Sequence, residues 1–451
     1  MLPRSMVACV LLLLLTGPAR PATEVVQGSQ FPAFLYTVAK TYNPLAWLHG
    51  ADRFSSDAAV FVHDKGGERR LVPDFAASAD PSVSFDGQKV LFAGKLHTQD
   101  SWKIWEVDLV GGRPRQVTPT VDDSIRPFYL PDDRVVYARK NGERYVIEVA
   151  DLTHTRSVPL TYIPSSALPT DVLHDGRILF ESAYPLGTEG NPEIYAVYSD
   201  GSGIESYRCD HGPSRYSARQ SSSGDIVFET AHGLARFTSA RAQQASLSSP
   251  AGEYAEGLTE IAPGDWLVAW RHDAKQPFHL MRWSQGSPRL QPVLEQKDLN
   301  VVQPAMLAER LVPNRHPSGL HDWPNANLLC LNAYTSKYQF VPGSIHSVRL
   351  YTRDAEGSTR LLGIAPVERD GSFFVQVPGD QPLQIELLDA SGKTLKREAG
   401  FFWMRRGEQR GCVGCHAGPE TAPENAIPMI LLKSTNPADL TGARVQSAGG
   451  Q

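Results

Sequence analysis

From about residue 55 to 318 the chain keeps returning to one phrase, a polar turn followed by a short apolar strand. Ser84-Phe85-Asp86-Gly87-Gln88-Lys89 leads into Val90-Leu91-Phe92-Ala93, and Leu130-Pro131-Asp132-Asp133-Arg134 into Val135-Val136-Tyr137-Ala138. His174-Asp175-Gly176-Arg177 leads into Ile178-Leu179-Phe180-Glu181, Ser223-Gly224-Asp225 into Ile226-Val227-Phe228-Glu229, and Pro263-Gly264-Asp265 into Trp266-Leu267-Val268-Ala269. The turn markers at 87, 133, 176, 224 and 264 are 46, 43, 48 and 40 residues apart. A unit of this length, made of short strands, cannot bury its apolar face alone. Stacking such units radially buries one against the next, which is the β-propeller solution.

A second strand completes each phrase. Trp102 to Leu109 alternates in polarity and ends in Gly111-Gly112, Tyr145 to Val149 fills the same slot, and Glu193 to Tyr198 ends in Asp200-Gly201-Ser202-Gly203. The Asp-Gly turns supply the positive φ that tight hairpins need. The pattern D-G-x-x-[VI]-x-[FY], followed by an aromatic-alternating strand and an x-x-[QR]-[LV]-T segment, resembles the WD40-like repeats of TolB-type propellers. With an opening strand at Ala58–Val62 and a final element near Val301–Val312, the reading predicts six blades over residues 23–318, with seven as the alternative. The paired acids Asp122-Asp123 and Asp132-Asp133 fall at turns and read as solvated.

The Pro- and Asn-rich stretch from Arg310 to Gly319 marks an exit from the repeat. Short strands separated by Gly, Pro and Asp turns then predict a small β-sandwich over 319–400. A segment at 401–435 carries the chemistry, and a polar, Gly-rich tail at 436–451 reads as disordered. The fold class is all-β throughout.

The N-terminus has one early charge, Arg4, an apolar core from Met6 to Leu15, and small residues up to Ala22. This reads as a secretory signal peptide over 1–22, too short in its apolar core to span a bilayer. The expected location is periplasmic or secreted, with no transmembrane segment. Removing Arg4 and Arg20 and no acid takes the formal charge from −5 to −7, which argues against a nucleic-acid partner.

Within the 401–435 segment, Cys412-Val413-Gly414-Cys415-His416 reads C-x-x-C-H, the attachment pattern of haem c. Two thioethers would come from Cys412 and Cys415, and the adjacent His416 would serve as proximal iron ligand. A thioredoxin-like pair would need a strand–helix context, and a zinc site more Cys or His at regular spacing; neither is visible. Export agrees with such attachment, which belongs outside the cytosol. Met429, 13 residues past His416, is a candidate second ligand, against ordinary packing in Pro428-Met429-Ile430-Leu431-Leu432. His211, His316, His321 and His346 are further candidates. Arg405, Arg406 and Arg410 are read either as propionate partners or as a solvated basic loop, with Arg410 kept as a cofactor-binding candidate. Phe402 and Trp403 pack on the porphyrin or close the sandwich core. Cys209 and Cys330 are left to pair across the domains or to remain buried thiols.

The run from Ile364-Ala365-Pro366-Val367-Glu368 through Asp370-Gly371-Ser372-Phe373, Val377-Pro378 and Leu387-Leu388-Asp389-Ala390 to Gly407–His416 resembles the C-terminal part of the hydrazine synthase α-subunit family. Tyr207-Arg208-Cys209-Asp210-His211-Gly212 also looks like that family's propeller region. The resemblance covers roughly 40–435 and implies a propeller before a haem segment. It also implies haem ligation by a Tyr four residues after the motif His, which frees that His for a nearby metal. Here Glu420 holds that place, so a Glu420 carboxylate at the iron or a second metal is the alternative to His416 as proximal ligand. The family's α-subunit carries more than one haem motif, and this chain has one.

No G-x-S-x-G, P-loop, H-E-x-x-H or G-x-G-x-x-G occurs. The expected function is that of an exported monohaem c-type protein. It transfers electrons or does redox chemistry on a small molecule, a nitrogenous one if the resemblance extends that far, and a redox partner or complex subunits dock on its propeller. The rival expectation is a TolB-like envelope scaffold with a structural haem.

Overall fold

The computed structural model describes residues 31–119, 121–153, 156–208, 214–239, 243–354, 357–415 and 425–442. The expected leader at 1–22 lies outside them. The regular structure of the described residues is almost entirely strand, in eight four-stranded sheets. Helix is confined to a single turn at Ala46–His49 and to Met429–Lys433.

Six of the sheets form a β-propeller. Their first strands are Ala77–Val83, Ser124–Leu130, Ala167–Val172, Tyr216–Gln220, Glu253–Ala262 and Asn300–Met306. Each touches the next, and Asn300–Met306 touches Ala77–Val83, so the ring closes. The repeated phrase is the hairpin from this first strand into the second. Gly87, Gly176, Gly224 and Gly264 all have φ between 71° and 90°, and Asp133 takes the same left-handed role at 52°. Two of these turns are also crowded. A Cβ on Gly176 would lie 2.1 Å from the Asn314 carbonyl oxygen, because the exit segment runs over that turn.

The ring is closed by the two ends of the repeat. Phe34–Ala39 pairs with Ala59–Asp64 on one side and with Asn300–Met306 on the other. The sequence reading opens the series at Ala58 and passes over Phe34–Ala39. All six of its residues are buried, so it shows no alternation, and no turn phrase precedes it.

Each first strand is bulged in its middle, where its pairing to the second strand shifts register. Asp80, Arg126, Ser217 and Gln303 take positive φ there, as does Gly257. Non-glycine residues resist that conformation, and it persists only where surroundings fix it. Here a buried polar ring does so. The Arg126 N–H donates to Asp80 Oδ2 (3.0 Å) and the Asp80 N–H to Gln303 Oε1 (2.9 Å). Gln303 Nε2 donates to Asp80 and Glu256, and Arg53 bridges the same two acids. Pro81, Pro127 and Pro304 follow three of the bulged residues, where a missing N–H costs no ladder bond.

The other two sheets make the sandwich. One orders Thr359–Pro366, Ser347–Arg353, Leu383–Leu388 and Thr394–Arg397. The other orders Gln409–Cys412, Asn325–Cys330, Phe373–Pro378 and Ala438–Asp439. The core between them holds Leu328, Val348, Leu350, Val375, Val377 and Leu387. This corrects two boundaries. The segment expected to follow the sandwich supplies one of its edge strands, parallel to Asn325–Cys330. The tail expected from 436 is ordered through 442: Ala438–Asp439 is the opposite edge strand and Leu440 is buried in the core. The missed signal was local, since two paired residues are too few to show a period of two.

Candidate functional site

The motif begins inside a strand. Cys330 stands opposite Cys412 across the parallel ladder, and the Leu331 N–H donates to the Cys412 carbonyl. Beyond Cys412 the chain turns onto the loop 332–335. There Gly414 packs so closely that a Cβ would meet the Thr335 carbonyl oxygen at 2.1 Å and that of Asn332 at 2.7 Å. Any side chain at 414 would lift the motif off this loop. Cys412 and Cys415 are thus held half-buried at the rim of the sandwich core, beside Tyr334, Phe340, Val367 and Phe402. Both are free thiols.

Cys330 is also a free, buried thiol, so the alternative of a buried thiol holds for it; Cys209 lies outside the described residues. Its neighbour is within the motif. A hydrogen bond to Cys415, reinforced by burial, pushes the Cys330 thiol well above its ordinary range. Burial also raises Cys412, more than the Arg410 guanidinium lowers it. The Cys330 and Cys412 thiols therefore stay protonated and chemically quiet near neutral pH.

His416 and Glu420 lie outside the described residues, as does His211. Met429 is described. It opens the short helix Met429–Lys433, whose first N–H donates to Asp370 Oδ2 (2.7 Å) and whose second donates to Ser372 Oγ (3.1 Å). The turn carrying these acceptors rests on the motif's loop, since a Cβ on Gly371 would strike Asn332, Ala333 and Tyr334. The fold thus brings the Met429 helix and the C-x-x-C turn to one loop, although 13 residues separate Met429 from His416 in sequence. Lys433 pairs with Glu368 and holds the far end of the helix (2.5 Å).

Several other candidates are engaged elsewhere. Arg405 is not a free propionate partner. Its Nε pairs with Asp380 (2.7 Å), its Nη1 donates to the Asp200 carbonyl of the propeller, and it lies over the Tyr162 ring. Arg410 pairs with Glu408 (2.6 Å), and Glu408 in turn accepts the Gly203 N–H. Arg406 remains largely exposed, with a 3.5 Å contact to Asp380. Trp403 closes neither a porphyrin pocket nor the sandwich. It is fully buried among propeller residues including Phe180, and its Nε1 donates to the Gly201 carbonyl (2.9 Å). Phe402 does pack on the sandwich core. His316 stacks on Tyr198 with ring centroids 3.8 Å apart, His321 stacks on Trp323, and His346 is exposed at the start of Ser347–Arg353.

Trp403, Arg405 and Glu408 thus seat the sandwich on the propeller turn 198–203, where Asp-Gly residues read as ordinary hairpin chemistry. No local pattern signals this second use. Arg410 faces the same blade edge, close enough to favour the ionised form of Glu205, although burial dominates and raises that carboxyl.

Two reduced thiols, three residues apart and half-exposed at the edge of an apolar cluster, fit the requirements of a doubly attached porphyrin. Among the described residues no group of three or more His, Cys, Asp or Glu is arranged to hold a metal ion. No helix of the described residues is long and apolar enough to cross a membrane.

Residues 341–417 match the family model described as the hydrazine synthase alpha subunit middle domain, a span that includes the whole motif. Among solved structures, the hydrazine synthase of Kuenenia stuttgartiensis is similar over 90% of this chain and 72% of that one, with a TM-score of 0.75 and 16% identity. TolB from Acinetobacter baumannii is similar over 62% of this chain and 68% of that one, with a TM-score of 0.46 and 16% identity. No curated protein matches the sequence significantly. The chain is therefore like the hydrazine synthase alpha subunit in fold and in the segment that carries the motif.

Proposed function

We propose that this chain is an exported c-type haem protein, built as a six-bladed propeller and a sandwich, that exchanges electrons or performs redox chemistry on a small molecule. The observation that carries the reading is the setting of Cys412 and Cys415. They are free, half-exposed and fixed by Gly414 against an apolar rim, inside the span that matches the hydrazine synthase alpha subunit. Those two residues would hold the haem through thioethers, and His416 would be its proximal ligand. The bound haem would supply one-electron chemistry at its iron.

The protein's own residues have separate tasks. Gly414 and the loop 332–335 orient the two sulfurs, and Asp370 and Ser372 hold Met429 near the motif as a candidate second ligand. Trp403, Arg405 and Glu408 join the haem-bearing sheet to the propeller, which leaves the propeller as the surface for a redox partner or further subunits. Small nitrogenous substrates follow only from the likeness to hydrazine synthase. Glu420, where that family's haem has a Tyr ligand, separates this chain from it.

The test is expression with a c-type maturation system, followed by haem staining on a denaturing gel and visible spectra. Retained stain and a split α/β pair on reduction are expected. A colourless protein would sink the reading in favour of an envelope scaffold. High-spin ferric haem that binds cyanide or nitric oxide would indicate an open iron face and catalysis. Low-spin haem inert to both would indicate two protein ligands and electron transfer.

A further inference from the structure

The propeller holds a cavity of about 540 Å³ that none of the haem-motif residues lines. It lies where the first strands end and pass into the Asp-Gly turns, and the exit segment 304–313 forms one wall. Its size is that of a small-molecule site rather than a water pocket. Apolar surface comes from Val83, Phe128, Val172, Leu258, Trp266 and Met306.

Two guanidiniums stand in this wall. Arg219 lies over the Phe128 ring at 4.8 Å, and its Nε is buried without a hydrogen-bond partner. Its nearest carboxylate, Asp171, is at 3.7 Å and already accepts the backbone N–H groups of Val172 and Gln220, with Glu256 acting from further off. Arg310, an exposed residue, lies over the Phe85 ring at 4.4 Å and donates to the Val83 carbonyl; among the described residues no acid makes a salt bridge with it. A third, Arg126, is buried just below, where a small cavity is shared with Arg219; its Nη2 has no partner, although its Nη1 pairs with Glu256 (2.5 Å). Glu260, also in the wall, accepts the N–H groups of Ser222 and Gly264, and Glu309 is exposed at the rim.

Three guanidiniums so close repel one another. Burial first, then the neighbouring Arg126 and Arg310 charges, bring Arg219 down to about 10, against the pull of Asp171. Burial lowers Arg310 as well. The unpaired buried donors Arg219 Nε and Arg126 Nη2 are costly and call for an acceptor, which a ligand in the cavity would supply to Arg219.

We infer that this cavity binds a small organic carboxylate, its oxygens taken by Arg219 and Arg310 and its apolar body laid against Phe128, Val172 and Leu258. A planar guanidinium matches a carboxylate in two parallel hydrogen bonds. The volume far exceeds that of an inorganic ion, which is why an organic body is part of the inference. The site is independent of the haem and stands or falls separately from it.

The experiment is calorimetric titration of the full-length protein with 3-phenylpropionate, its neutral amide and inorganic phosphate. The acid should bind saturably, and the amide at least tenfold more weakly. Arg219→Gln and Arg310→Gln should each lose at least tenfold. Equal binding of acid and amide, or none by either, overturns the inference, and phosphate binding as tightly as the acid overturns the organic carboxylate. So that the test does not depend on a variant's folding, wild-type protein provides a second reading through phenylglyoxal labelling followed by mass spectrometry. Arg219 should label ahead of exposed Arg406 and be protected by the acid. Labelling that is no faster and unprotected would overturn the proposal without any substitution.

Discussion

Replacing Glu181 by Gln should remove a pH dependence that the propeller builds into itself. Glu181 is only 2% exposed and accepts the Ser217 N–H at 2.9 Å, the bond that holds one of the bulged first strands. Burial raises its carboxyl from 4.5 to about 7, opposed by Arg126, the Ser217 N–H and Arg53. Below the unfolded value both states hold the proton and the residue costs nothing. Between 4.5 and about 7 the unfolded chain releases its proton while the folded chain keeps it, so stability falls as pH rises. Above 7 the loss is complete and constant. A shift of this size, at about 1.4 kcal/mol per pH unit, amounts to roughly 3 kcal/mol. Gln keeps the acceptor for Ser217 and cannot ionise. Urea unfolding of both proteins at pH 5, 6, 7 and 8 should show the variant gaining on wild type as pH rises, by about 3 kcal/mol in total, with the gain levelling above pH 7. Glu205 titrates in both proteins and drops out of the difference, whereas the Glu181 charge helps to raise Glu229, so its removal relieves that neighbour too and adds to the gain in the same direction. A difference that stays constant from pH 5 to 8 would refute the reasoning.

Other expectations follow from the sandwich and the motif. Cys412→Ala or Cys415→Ala should each leave at most a single thioether and sharply reduce covalent haem stain, with far-ultraviolet circular dichroism unchanged. Gly414→Ala should destabilise by about 1–3 kcal/mol, because its Cβ meets a backbone carbonyl at 2.1 Å, and should lower haem yield in proportion; unchanged melting would count against the close approach. Trp403→Ala should cost about 3–5 kcal/mol and make the exit segment cleavable by protease while the propeller core resists. Cys330→Ser should leave haem attachment intact, since the thiol at 330 is a neighbour of the motif and not one of its two attachment points; loss of stain would show a direct role.

The propeller was legible because its turns repeat. A tight turn built from Gly and Asp at a 40–48-residue interval is a chemical demand made several times over, and each repetition strengthens the inference. The same periodicity held more than was taken from it. Ala93, Ala138 and Ala269 occupy the position that Glu181 and Glu229 occupy in their own phrases, so two carboxyls were due to be buried where three other repeats put methyls. Pro81, Pro127 and Pro304 likewise announced edge strands or bulges, since those are the places a sheet leaves for proline. Of the candidate site only the local C-x-x-C pattern was legible. C-x-x-C is a pattern of neighbours, but Cys330 reaches Cys415 across a strand ladder, and no local pattern encodes a contact between positions 85 residues apart. Arg405 and Trp403 failed for the same reason: flanking a motif says nothing about which domain a side chain enters.

Both outer strands of the motif-bearing sheet, Gln409–Cys412 and Ala438–Asp439, come later in the chain than the two strands they flank. During synthesis the sheet must therefore wait, with Asn325–Cys330 and Phe373–Pro378 joined but bare on either side. The cysteines of the motif are threaded into place only when one of those flanks is filled. Attachment machinery that needs an extended, accessible C-x-x-C thus has a natural interval in which to work, and that interval closes when the strand docks. The protein's assembly timetable is in this sense written into strand order, and slowing that docking should widen the interval for modification.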